Sequence, residues 1–317
     1  MLKDLHMLPK VRDAWSYLYV EHCKIDRDAR AIMLHDARGR VPVPCASLSL
    51  LMLGPGTSIT HAAISSLADN GCLVAWSGEQ GVRFYAQGMG ETRSAANLLK
   101  QAALWADPQL HLKVVIRMYE FRFGEPIEPR MTLRQIRGKE GVRVREAYAR
   151  ASRVSGVPWE GRSYDRSSWG RSDPINRALS AANSCLYGIC HAAIVSAGFS
   201  PALGFVHTGK MLSFVYDVAD LYKTEFSIPV AFTETAKGTE KLESRVRRTC
   251  RDAFTEGQLL ARIVPDIQSI LNVPLPPGAT STGAFDSDAA LPGGLWDPDA
   301  GSVVGGTNFA VEGNEAS

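Results

Sequence analysis

Residues 172–198 read SDPINRALSAANSCLYGICHAAIVSAG, and this stretch decides how the second half of the chain is built. Asp173 and Pro174 open it and Gly198 closes it, the proline-first, glycine-last order of an α-helix. Between them Ala, Ser and Gly occupy several faces, so neighbours can pack close on more than one side. Such a helix belongs at the centre of a helical unit. Two further helices follow from periodicity. In MTLRQIRGKEGVRVREAYARA (131–151), Thr132 is a candidate N-cap and Leu133, Ile136, Val144, Ala147 and Tyr148 mark an apolar stripe. From Ser213, a candidate cap, Phe214, Val215, Val218, Leu221 and Tyr222 recur at helical spacing.

Upstream the texture is different. WSYLYVEH, AIMLHD, SLSLLML, CLVAW and VRFYA are short β-rich runs between residues 15 and 88, separated by turn signals at 36–39, 54–56 and 77–81. One helix, THAAISSLADNG, interrupts them and ends at Gly71. From Pro274 onward the chain is rich in Pro, Gly, Ala and Ser, without periodicity. The fold class expected is α+β: an N-terminal β-rich domain (1–90), an all-α domain (91–274) and a disordered acidic tail (275–317). Leu295 and Trp296, with Phe285, are the tail residues able to dock.

The formal net charge of +2 conceals an asymmetry. Seven of the 33 acids lie beyond Arg262, where no Lys or Arg occurs, leaving 35 basic against 26 acidic residues in the first 262, or +9. A basic body with an acidic tail points to a polyanionic ligand. The six cysteines contain no C-x-x-C pair, which excludes a common zinc arrangement, and Cys185 and Cys190 read as core residues of the central helix. MLKDLHMLPKVRD lacks the apolar segment of a secretory signal, so a reduced, cytoplasmic protein without a membrane span is expected.

Candidate chemistry concentrates in GFVHTGKMLSFVYDVADLYK (204–223). His207 precedes the helix that carries Asp217 and Asp220 at i, i+3, where two like charges repel unless a cation or a basic partner is shared. On that reasoning Asp220→Ala would relieve the repulsion and stabilise the metal-free protein. Glu140 falls on the apolar stripe of the 131–151 helix, a costly place for a carboxylate unless it is paired or binds a metal, and Gly138 and Gly141 beside it permit close approach. One glutamate, one histidine and two aspartates form an oxygen-rich set suited to Mg2+ or Mn2+.

Arg130 to Arg177 holds twelve Lys or Arg against five Asp or Glu. Within it Arg162, Tyr164, Arg166, Trp169 and Arg171 interleave cations with aromatics, as does a surface that grips phosphates and stacks bases. An ordinary solvated loop with aromatics turned inward accounts for the pattern equally well. Arg245, Arg247, Arg248 and Arg251 form a second basic cluster on a predicted helix.

R-G-K-E-G around Glu140, the run from Asn176 to Gly188, and G-F-V-H-T-G-K-x-L-S-F-V-Y-D-V-A-D together resemble the CRISPR-associated spacer-acquisition integrase family, the nuclease of the adaptation module, in its type I-E branch. The resemblance covers roughly residues 10–275. It implies a homodimer that flanks a small ferredoxin-like CRISPR-associated partner and acts on double-stranded DNA with 3' overhangs and on CRISPR repeat DNA. On this resemblance Glu140, His207 and Asp220 are metal ligands and Asp217 is a further catalytic acid. Tyr164, Trp169, Tyr187, Lys210, Tyr216 and Lys223 match positions near DNA or the active site, and Arg83 matches a basic position of the β domain. His22 replaces a tyrosine of the branch that stacks on the duplex end, and Ser58 replaces an arginine.

The chemistry implied is phosphoryl transfer: a prespacer 3'-hydroxyl attacks a repeat phosphodiester with Mg2+ or Mn2+ at the centre. Asp217 either positions a second ion or orients His207, and His207 either binds metal or shuttles a proton. Two rival functions remain: a DNA-binding scaffold without catalysis, and a metal-dependent hydrolase of a small phosphorylated substrate.

Overall fold

The computed structural model describes residues 17–28, 31–79, 84–88, 94–162, 173–276, 294–298 and 301–303. The N-terminal region is β-rich and a helical region follows. Its strands are β1 (Tyr17–Val20), β2 (Lys24–Asp28), β3 (Ala31–Asp36), β4 (Gly39–Pro44), β5 (Leu50–Leu53) and β6 (Ser58–Ile59), then, after helix α1 (His61–Asp69), β7 (Leu73–Ser77) and β8 (Phe84–Gly88). They form two four-stranded sheets, ordered β1-β5-β7-β8 and β4-β3-β2-β6.

In the first sheet β5 pairs in parallel with β1 and β7, and every residue of β5 is buried. Strand alternation explains its continuous apolar run. Leu50, Met52, Leu73 and Ala75 turn to the helices and join the large core, while Leu51, Leu53 and Val74 turn to the second sheet and α1. Strands β2 and β4 had no counterpart in the sequence reading. KIDRD and GRVPVP carry little apolar signal because most of their side chains are at least partly exposed. Pairing with β3 recruits them, and Pro42 and Pro44 are tolerated because β4 is an edge strand.

The helices are α2 (Ala96–Ala106), α3 (Pro108–Phe123), α4 (Leu133–Ser155), α5 (Pro174–Ser196), α6 (Ser213–Asp220), α7 (Ser227–Ala236), α8 (Leu242–Glu256) and α9 (Leu259–Ile270). Asp107 caps α3 through the Gln109 and Leu110 amides, with Pro108 in the first turn and Gly124 in the left-handed region at its end. Thr132 caps α4 in a reciprocal box with Gln135, as its sequence predicts. Ser213 differs from expectation. It is the first residue of α6 rather than its cap, and its hydroxyl instead accepts from the Lys210 amide.

Helix α5 is long and apolar enough to cross a membrane by length and composition, yet it is the central helix of the packed unit, touching α6, α7, α8 and α9. Cys185 and Cys190 lie in its buried face, and all six cysteines are buried and outside any disulfide. In the tail, β9 (Leu295–Asp297) and β10 (Gly301–Val303) form a separate antiparallel hairpin. Leu295 is exposed there, so it does not dock as expected; Phe285 lies outside the described residues.

Candidate metal and phosphoryl-transfer site

Helices α3, α4 and α6 and the loop before α6 bring the candidate side chains together. The loop is shaped by Gly204, where a Cβ would run into the His207 carbonyl and Ser213. With that close approach allowed, the chain wraps Asp217. Its Oδ2 accepts from the Phe205 amide at 2.6 Å and the Val206 amide at 3.0 Å, and its Oδ1 accepts from the His207 amide at 2.8 Å. His207 Nδ1 lies 2.7 Å from the same Oδ1.

Asp217 is 0% exposed, and N–H donors surround its carboxyl group, so its burial is satisfied by the fold without a shared metal. The same arrangement fixes the tautomer, since Nδ1 must carry the proton it gives to Asp217, leaving Nε2 free toward Asp220 at 4.0 Å. The hydrogen bond to Asp217 raises the His207 pKa; burial opposes this, and the Asp220 and Asp217 charges reinforce it. Both Asp217 oxygens are engaged, which favours the orienting role over the ion-positioning one.

Asp220 is held differently. Lys223 Nζ is 2.5 Å from Oδ1 and Arg122 Nη2 is 3.3 Å from Oδ2. Glu140, from α4, faces Arg122 Nη1 at 3.3 Å through Oε1 and Arg143 Nη1 at 3.5 Å through Oε2. Glu140 Oε2 and Asp220 Oδ1 are nevertheless buried without a hydrogen bond. For Asp220 Oδ1 the partner is the Lys223 ammonium in the 2.5 Å ion pair. Ion pairs, with one hydrogen bond from Arg122 Nη1 to Glu140 Oε1, hold this half together. Burial alone would lower the Lys223 pKa, but the Asp220 charge and Tyr187 override it and push the ammonium up to about 12.

Tyr187 and Tyr216 complete the wall: Lys223 Nζ lies 5.2 Å from the Tyr187 ring centre, and the two rings meet edge to face at 5.1 Å. Lys210 is exposed on the same loop as His207. Arg122 and Arg143 escaped the sequence reading. Arg122 ends α3, where a basic residue reads as an ordinary helix-dipole partner, and only the α3–α4 packing reveals its role.

Other expected contacts fall elsewhere. His22 occupies the β1–β2 loop at φ 51°, its amide donating to the Pro55 carbonyl. Arg83, Tyr164 and Trp169 lie outside the described residues, as do Arg166 and Arg171. Trp159 stacks on Tyr148 with centroids 4.4 Å apart, and Arg162 donates to the Asn176 carbonyl and to Ser180. Thus Trp159 packs against Tyr148, while Arg162 stays exposed as it ties the start of the loop to α5. The Arg245 guanidinium is engaged within the fold, by buried Glu234 and by the Glu234, Gly238 and Glu240 carbonyls. Arg248 is exposed on α8. Gly138 stands in open surroundings, and at Gly141 the only neighbour a Cβ would meet is Arg145 Nη1 at 3.6 Å, so neither makes the close backbone approach expected of it.

A divalent cation fits the chemistry of Glu140, His207 and Asp220, which offer two carboxylate oxygens lacking hydrogen bonds and one free imidazole nitrogen. Among the described residues, no three His, Cys, Asp or Glu side chains converge on one point as they stand. The cation between Glu140 and Asp220 is Arg122.

The sequence model of the family described as CRISPR associated protein Cas1 matches residues 122–243. CRISPR-associated endonuclease Cas1 2 of Thermus thermophilus is 56% identical over 308 residues, covering 97% of this chain and 94% of its own. CRISPR-associated endonuclease Cas1 of Escherichia coli is 44% identical over 262 residues, covering 82% and 86%. Among solved structures, a TtCas1–DNA complex superposes with a TM-score of 0.78 at 58% identity, covering 84% of this chain and 99% of that one.

Proposed function

Because the chain belongs to the Cas1 family of CRISPR-associated endonucleases, we propose that it joins prespacer 3'-hydroxyl ends to CRISPR repeat DNA by metal-dependent transesterification. The observation that carries this reading is the oriented His207, held by buried Asp217 with Nε2 toward Asp220 and with Glu140 across the Arg122 fork. Glu140, His207 and Asp220 would hold Mg2+ or Mn2+, which when bound neutralises charge on the scissile phosphate and on the leaving oxygen.

The chain's own groups do the rest. Asp217 takes the Nδ1 proton of His207 and so aims Nε2 toward Asp220. Lys223 and Arg143 give the carboxylate cluster a positive margin that admits a phosphodiester despite three nearby acids. Tyr187 and Tyr216 offer edges and hydroxyls beside that margin. Water in place of the 3'-hydroxyl gives strand cleavage at the same centre, so nuclease and integrase are outputs of one site.

Double-stranded DNA is the substrate, a reading supported by the DNA bound to the related TtCas1 and by the +9 charge of the first 262 residues. A homodimer with a small ferredoxin-like CRISPR-associated partner, and the domains 1–90, 91–274 and 275–317, belong to the same proposal. Tyr164, Trp169, Arg83, Lys210, Arg248 and His22 are proposed DNA contacts, whereas Arg162 serves chiefly to tie its loop to α5.

The test is to incubate the full chain and its partner with Mn2+, a duplex bearing 3'-hydroxyl overhangs and a supercoiled repeat plasmid. Joined products that disappear with Glu140→Ala, His207→Ala or Asp220→Ala are expected. DNA binding without products indicates a scaffold, and neither binding nor products indicates a small phosphorylated substrate.

A further inference from the structure

Arg122 sits where a buried cation is hardest to justify on packing alone. Its side chain is 4% exposed, its two terminal nitrogens face carboxylates from different helices at 3.3 Å each, and its guanidinium carbon lies 5.4 Å from the Tyr119 ring centre. Yet Nε and Nη2 have no hydrogen bond. A guanidinium placed for stability would match its five donors, so this placement answers to charge.

The fork also divides the carboxylate oxygens. Arg122 takes Glu140 Oε1 and Asp220 Oδ2. The remaining Oε2 and Oδ1 face Arg143 and Lys223, whose side chains are about a quarter exposed and are also held by Thr224 and by the Tyr187 ring. One oxygen of each acid thus faces the buried Arg122 and the other faces a cation nearer the surface.

We propose that Arg122 is the resident counter-cation of the site: from between Glu140 and Asp220 it offsets their charge before a divalent metal arrives, and thereby weakens metal binding to the free protein. The proposal rests on the metal reading above. Two ionised carboxylates brought together in a half-buried site repel strongly without a cation, and a permanent cation between them opposes the entry of a second.

The experiment measures Mn2+ binding to the full chain without DNA, by electron paramagnetic resonance of the free ion, for wild type, Arg122→Lys and Arg122→Gln. Arg122→Gln is expected to bind Mn2+ at least about tenfold more tightly, since it removes the competing charge. Arg122→Lys should fall between, because an ammonium meets one carboxylate at a time. A purely structural role predicts the opposite order, with affinity falling as the ligands lose their register. If the glutamine variant does not fold, the lysine variant decides alone: tighter than wild type supports the proposal, and equal or weaker binding overturns it. Glu140→Ala and Asp220→Ala separate the two readings. If wild-type binding survives both, the metal assignment fails and the proposal with it. If binding needs both acids but neither Arg122 variant tightens it, the counter-cation role alone is overturned.

Discussion

Asp217 and Asp220 are three residues apart on α6, and the protein treats them in opposite ways. Asp217 is 0% exposed and takes N–H groups on both oxygens, three from the backbone and one from His207. Asp220 is 19% exposed at its side chain, surrounded by cations, with one oxygen lacking any hydrogen bond. Directional hydrogen bonds make a rigid part, and ion pairs make a part that can accept a ligand. The first aspartate builds the site and the second is left available to work in it.

Breaking the rigid half should have the largest effect. Asp217→Ala strands buried amides and releases His207, at a cost of about 3–5 kcal/mol, the range for a buried charged group removed from its partners. The midpoint of urea denaturation measures it. A loss below about 1 kcal/mol would mean that Gly204 and the loop packing, rather than the carboxylate, set the His207 position.

The available half should respond less in stability and fully in activity. Like-charge repulsion along α6 favours a gain on Asp220→Ala, but that inference overlooks Arg122 and Lys223. Removing Asp220 leaves both cations short of a partner, so a loss of about 1–2 kcal/mol is expected together with loss of strand transfer. An increase in stability would show that the acids repel more than the cations attract.

The same contrast separates two arginines of α8. Arg245→Ala should destabilise by about 1–2 kcal/mol, because buried Glu234 loses one of its donors, keeping Lys237 and Thr249, and three carbonyls lose the guanidinium, and should leave the salt dependence of DNA binding unchanged. Arg248→Ala should leave stability alone and lower the salt slope by about one counterion. Filter binding between about 50 and 200 mM salt distinguishes them; equal slopes for wild type and Arg248→Ala would make Arg248 a solvated surface residue.

What the sequence revealed, and what it withheld, follows the same line. Local chemistry was legible: the Thr132 cap, the α1 segment ending at Gly71, the central α5, and Glu140 on a stripe where a carboxylate needs a partner. Partners supplied by distant segments were hidden. Arg122 lies 18 residues from Glu140 and 98 from Asp220, and only the packing of α3 on α4 and α6 makes it part of the site. Arg245 looked like surface charge because Glu234 and the chain before α8 fold back onto it. Strands β2 and β4 were illegible because pairing rather than side-chain burial holds them.

Histidines give the smallest and most easily isolated test of partnered against unpartnered groups. His191, on α5, packs its ring 4.0 Å from that of Phe84 on β8, and burial lowers its pKa to about 4. The unfolded chain, with an ordinary value of 6.5, therefore binds a proton that the folded chain refuses across this window. His191 thus contributes stability that is fully present above pH 6.5 and is lost as pH falls toward 4. His207, raised by Asp217, has the opposite sign: its contribution is present below the unfolded value and is lost as pH rises through the folded one. His191 is partly exposed, so solvent screening limits its share to at most about 2 kcal/mol. His191→Phe, which keeps an aromatic against Phe84, should flatten the fall in stability between pH 6.5 and 4, read as the urea midpoint at each pH. The fall above pH 6.5 should persist in that variant, because His207 and Asp217 are untouched. If His191→Phe leaves the acid limb as steep as in wild type, the protons taken up there belong to carboxylates such as Glu234 and Glu243, whose values the fold lowers, and the contact between β8 and α5 does not sense pH.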